Sequence, residues 1–118
     1  MIDKKAYQKM DYALCLLSAR ADGKDSGCII NSFHQVTSSF PAKFTIAVNR
    51  ENVTAAAVEQ AGSFCVTLLA HDAPAALIND FGYRSGRVAD KFSPYEVRRD
   101  EVGNPYPVSY THLTLPTT

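Results

Sequence analysis

Residues 27–37, GCIINSFHQVT, constrain the fold more than any other stretch. They suit a strand, with Cys28, Ile30, Ser32, His34 and Val36 on one face. Ile29, Asn31, Phe33, Gln35 and Thr37 then occupy the other. Both faces begin apolar and turn polar partway along. Such a strand leaves a core and meets something polar: water, a partner or a ligand. Neighbouring runs have the same β character. Residues 12–18 read as a strand apolar on both faces, hence buried, and KFTIAVN (43–49) and SFCVTLLA (63–70) are further strands. The Asp-Gly pair in ADGKDSG (21–27) is a turn signal, and SSFPA (38–42) is a loop stopped by Pro41.

Short helices fill the gaps. Asp3 can cap a first helix over residues 4–10. In RENVTAAAVEQAG, Asn52 or Thr54 can N-cap a two-turn helix that ends at Gly62. Asp72 opens another helix, closed by Gly82, with Leu77, Ile78 and Phe81 as its apolar stripe. Residues 96–107 read as a strand and then a turn through Gly103 and Asn104. The expected class is mostly β with short helices, α+β.

The 118 residues suffice for one domain and no more. Twelve Lys and Arg balance twelve Asp and Glu, which argues against a nucleic-acid binder and against charge anchoring to an anionic membrane. No apolar run approaches the roughly 20 residues of a membrane span, and the N-terminus lacks the apolar stretch of a signal peptide. Cys15, Cys28 and Cys65 are odd in number, lack C-x-x-C spacing and sit among apolar neighbours, so reduced buried thiols and a cytoplasmic location are expected. His34, His71 and His112 lack metal-ligand spacing. With no dinucleotide fingerprint, P-loop or nucleophile elbow, any redox chemistry falls to a bound cofactor.

The final eleven residues, VSYTHLTLPTT, differ in composition from the rest. Four of the chain's eight threonines fall in the last eight positions. The segment 108–118 resembles translated sequencing-adapter DNA, the alternative being a disordered tail, and the expected domain is residues 1–107.

Three segments can carry chemistry. Residues 31–37 offer hydrogen-bonding groups beside an aromatic ring, which suits a flat heteroaromatic; a solvent-facing strand end gives the same pattern. In residues 49–54, Arg50 follows a strand and Asn52 and Thr54 begin a helix. That is an anion site, plain capping, or both. Residues 82–92 form a glycine-containing loop with Arg84, Arg87 and Lys91, able to close over an anionic aromatic ligand or to stay solvated.

In this order, GCIINSFHQVTSSFPAKFTIAVNRENVT and AGSFCVTLLAHDAPAALINDFGYRSGRVADKF resemble the flavin reductase-like family, whose members share the FMN-binding split β-barrel. The resemblance covers about residues 5–107 and is nearest to flavin reductases of anaerobic bacteria, some of which carry a rubredoxin domain after the barrel. It implies an oxidoreductase that passes electrons from NAD(P)H through FMN to free flavin, ferric iron, rubredoxin or oxygen, in a homodimer. An electron-transfer protein without its own NAD(P)H site and a non-catalytic flavin-binding barrel are the alternatives. By the same resemblance, Asn31, Ser32, Phe33, His34, Gln35 and Thr37 line the isoalloxazine. Asn49, Arg50, Asn52 and Thr54 hold the ribityl chain and phosphate, and Lys91 and Phe92 lie over the flavin. The stretch Ser38, Ser39, Phe40, Pro41 departs from the family's usual pattern. The family's barrel continues past the match to Pro107, so a C-terminally incomplete barrel is expected.

Overall fold

A computed structural model describes residues 5, 14–69, 75–82, 91–92, 94–108 and 111–117. In chain order its elements are β1 (Cys15–Ala21), β2 (Lys24–Ile30), β3 (His34–Thr37), β4 (Lys43–Thr45), α1 (Val53–Ala61), β5 (Ser63–Leu68), α2 (Ala75–Gly82), β6 (Val97–Arg99), β7 (Pro105–Pro107) and β8 (Thr111–Pro116). The expected mostly-β architecture with short helices is the one found. The helix expected over residues 4–10, the opening of α2 at Asp72, and Arg84 and Arg87 lie outside the described residues.

An antiparallel sheet in the order β2-β1-β5-β8 forms the centre. Its first hairpin turns at Asp22 and Gly23, whose φ values of 51° and 71° give the left-handed pair that matches strand twist. Period-two alternation divides β1 between two cores. Cys15, Leu17 and Ala19 join Cys28, Ile30, Phe64, Val66 and the α1 residues Ala57 and Val58 on one face. On the other, Leu16 packs with Leu77 and Phe81 of α2 and with Phe92. Burying each such Leu or Phe stabilises by about 1.5–3 kcal/mol.

The strand expected over residues 27–37 is broken. β2 ends at Ile30, and β3 pairs instead with β4, His34 opposite Thr45 and Gln35 opposite Phe44. The expected strand at 43–49 likewise stops at Thr45. A side chain explains both ends. The Ser32 hydroxyl donates to the Ala47 carbonyl at 2.7 Å and accepts from the Ala47 amide at 3.3 Å, substituting for a ladder rung. Ile46, Val48 and Phe33 still pack on the α1 core, and Phe33 stacks on Phe44 with centroids 5.0 Å apart. At the tip of this hairpin Phe40 is 100% exposed.

The β6–β7 hairpin, which makes its own two-stranded sheet, is tied to the central sheet by polar groups. Asp25 of β2 accepts from Arg20 at 2.7 Å and from Arg99 at 2.8 and 3.0 Å. Asn104, buried, accepts from the Arg20 amide at 3.1 Å and donates to Ser63 at 3.1 Å. The segment set apart by composition contains a strand: β8 pairs with β5 from Ser63 opposite Pro116 to Leu68 opposite Thr111, and Thr114 donates to Asp100 at 2.8 Å. No helix among the described residues is long and apolar enough to cross a membrane.

Candidate functional site

Where β2 leaves the sheet, a cleft of about 420 Å³ opens between the end of that strand, residues 47–52 and α2. Its apolar lining is Leu14, Ile29, Ile30, Ala47, Val48 and Ile78, and its polar lining is Asn31, Ser32, Asn49 and Asn52. Cys28 and Gly82 complete it. The volume and the mix of a mostly apolar wall with a few polar groups are those of a small-molecule site.

The polar side is built by local chemistry. Asn49 accepts from the Glu51 amide at 2.9 Å and its carbonyl accepts from the Asn52 amide at 2.9 Å, a turn that hands the chain to α1. Asn52, in extended conformation, caps the helix by accepting from the Thr54 amide at 2.9 Å. At the far end Gly62 adopts φ 73° and donates to the Val58 carbonyl. The amino end of α1, with its partial positive charge, therefore meets the cleft beside Asn49 and Asn52. Arg50 is exposed next to them. Thr54 is buried behind the cap, and the Cys28 sulfur lies within hydrogen-bonding reach of Thr54 and Asn52. Burial pushes the Cys28 thiol up, against the opposing pull of the Thr54 hydroxyl, the Lys91 charge and Asn52.

The residues expected to bind a ligand are thus divided. Asn31, Ser32, Asn49 and Asn52 come together at the cleft. Phe33, His34, Gln35 and Thr37 run away from it: His34 is exposed on β3, Gln35 donates to the Thr37 carbonyl at 3.0 Å, and Thr37 pairs with Ser39 at 2.6 Å. The break at Asn31 sends them into the side hairpin. Lys91 and Phe92 are absent from the lining. The Lys91 ammonium is buried and donates to the carbonyls of Gly27 at 2.9 Å and Phe81 at 3.3 Å. Phe92 packs edge-on against Phe81 at 4.8 Å. The apolar lining was invisible as a site in the sequence, because Ile29, Ile30 and Ile78 carry ordinary core patterns. The only signal was the adjacency of Ile29 and Ile30 to the polar positions 31 and 32, and Ile78 carried none.

A family model described as a flavin reductase like domain matches residues 7–110, and the chain belongs to that family. Among curated proteins it is 31% identical over 110 residues to a high molecular weight rubredoxin of Moorella thermoacetica, covering 93% of this chain and 48% of the relative. It is 32% identical over 104 residues to a ferric-chelate reductase (NAD(P)H) of Archaeoglobus fulgidus, covering 88% of this chain and 61% of the relative. The chain thus spans about half to three-fifths of the length of these proteins. Among solved structures, the flavoredoxin of Methanosarcina acetivorans superposes with a TM-score of 0.78 at 24% identity, covering 87% of this chain and 55% of that one. The shared fold is the split barrel expected from the sequence.

Proposed function

We propose that this protein binds FMN in the cleft and works as an oxidoreductase of the flavin reductase type, taking electrons from NAD(P)H. The observation that carries the reading is the convergence of Asn49, Asn52 and the capped start of α1 on one end of an apolar-walled cleft whose other polar edge is Asn31 and Ser32. The lining suits FMN chemically. Among the described residues that line it none is acidic, and the exposed Arg50 and Glu51 stand side by side just before the helix start, with Arg50 available to a phosphate. Asn31 and Ser32 offer donors and acceptors to the polar edge of a heteroaromatic, while Ile29, Ile30 and Ile78 exclude water from its apolar part.

When bound, FMN would supply hydride acceptance from the nicotinamide and onward electron delivery. This chain's residues would hold and orient it: Asn49 and Asn52 at the ribityl chain, Arg50 and the α1 dipole at the phosphate, Asn31 and Ser32 at the ring. Relatives described as a ferric-chelate reductase and a high molecular weight rubredoxin favour an iron chelate or a rubredoxin as acceptor. Exposed Val36 and Phe40 on the β3–β4 hairpin are apolar surface that a homodimer would cover.

The test is a fluorescence titration of the purified protein with FMN and with riboflavin. FMN should bind at least tenfold more tightly, and Arg50→Ala should erase most of that difference. Equal affinity for both in the parent protein would overturn the phosphate assignment, and no binding of either would overturn the reading. Bleaching of the bound flavin by NADH or NADPH separates a reductase from an electron carrier that is reduced only by a partner protein.

A further inference from the structure

Two walls of the cleft come from distant parts of the chain and meet at a single buried cation. Cys28 belongs to β2 and Gly82 to the end of α2, and both line the cleft. The carbonyl immediately before each of them, that of Gly27 and that of Phe81, accepts a hydrogen bond from the Lys91 ammonium. Lys91 is 6% exposed, although it lines no part of the cleft itself. The joint is tightly packed. A Cβ on Gly27 would lie 2.9 Å from the Phe92 ring and 3.2 Å from the Phe81 ring, so only glycine admits this approach of α2 to β2. The Phe81 carbonyl sits in the last turn of α2, where helix carbonyls lack intrahelical partners and a cation is favoured.

We propose that Lys91 is a positioning residue of the flavin cleft, its ammonium clamping α2 to β2 and so fixing the separation of the two walls between which the ligand enters. The proposal rests on the FMN reading for its ligand, and on the geometry alone for the clamp. Charge-assisted bonds to two carbonyls hold a fixed distance that apolar contact between Phe81 and Phe92 would leave free to slide. The expected loss on removing the ammonium is of affinity, because a misplaced wall no longer meets both sides of a flat ligand.

Lys91→Met keeps the apolar stem and removes the cation, and Lys91→Ala leaves a slot the length of n-propylammonium. The expected result is FMN binding weakened at least tenfold in both variants, measured well below their melting temperatures. Millimolar n-propylammonium, but not n-propanol, should recover at least threefold in Lys91→Ala. Without ligand, hydrogen exchange of the α2 amides should quicken about tenfold in Lys91→Met while α1 stays unchanged. FMN affinity within twofold of the parent would overturn the clamp, as would uniform acceleration of exchange across the fold. Failure of both variants to fold would overturn it too, since Lys91 would then be a general core residue. Absence of FMN binding in the parent protein would instead strike the functional reading, leaving the exchange measurement to decide the clamp.

Discussion

The side-chain oxygen of Asn52 accepts the Thr54 amide at 2.9 Å, so the residue that starts α1 is also a wall of the cleft. The two roles separate by substitution. Asn52→Ala should cost about 1 kcal/mol of stability through the lost cap. Asn52→Asp preserves the cap and suits the helix dipole, so stability is retained, yet it sets a carboxylate at the helix start, beside the position proposed for the phosphate. Thermal melts paired with FMN titrations check this: Asn52→Asp should melt with the parent and bind FMN at least tenfold more weakly.

Thr67 carries the opposite kind of hydroxyl. Its side chain is fully buried, and among the described residues its oxygen meets no nitrogen or oxygen partner, only the weakly accepting sulfur of Cys65. An unsatisfied buried hydroxyl costs about 1–3 kcal/mol, and valine has nearly the same shape. Thr67→Val should therefore raise the melting temperature, by about 4 °C for each kcal/mol recovered in a domain of this size. A lower melting temperature would mean that the hydroxyl is satisfied in solution.

Acid should loosen the hairpin β6–β7 through Asp25. Burial alone would raise its carboxyl, but the hydrogen bonds and charges of Arg99 and Arg20 outweigh it and hold the group below the usual carboxylate value of 3.8. A group depressed in the folded state stabilises above its unfolded pKa, and that contribution fades as pH falls through the folded value. Melting temperatures followed downward from pH 6 should fall more steeply below about pH 4 in the parent than in Asp25→Asn, which starts lower and changes less.

Thiol chemistry should be silent in the native protein. Cys15, Cys28 and Cys65 are buried and form no disulfide, and burial raises all three thiols. Cys65 is pushed up to about 12, by burial first and by the charge of Asp100 second. The thiolate is the reactive form. A disulfide reagent at pH 8 should therefore titrate none of them in native protein and three after denaturation. Rapid native reaction at Cys28 would show that the cleft opens to reagents.

Much of this fold was legible in local patterns. Asn52 and Gly62 bracket α1 because capping and left-handed termination are chemistry of single residues, and Asp22-Gly23 fixes the first hairpin for the same reason. The break after Ile30 was not legible. Residues 27–37 alternate well enough for one strand, and the interruption depends on Ser32 meeting Ala47, fifteen residues on. The burial of Lys91 was not legible for a related reason. A lysine next to glycines and arginines reads as a solvent-facing loop cation, and nothing nearby in sequence announces that the carbonyls of Gly27 and Phe81 wait for it.

That long reach has a thermal corollary. A flavin lodged between β2 and α2 would rivet segments some fifty residues apart, both of which also contribute side chains to the second core. At a hundredfold excess over its dissociation constant, such a rivet adds about 2.7 kcal/mol to the folded state. Colour and cohesion would then vanish at the same temperature, and pigment retention would serve as a gauge of how much of the population is still intact.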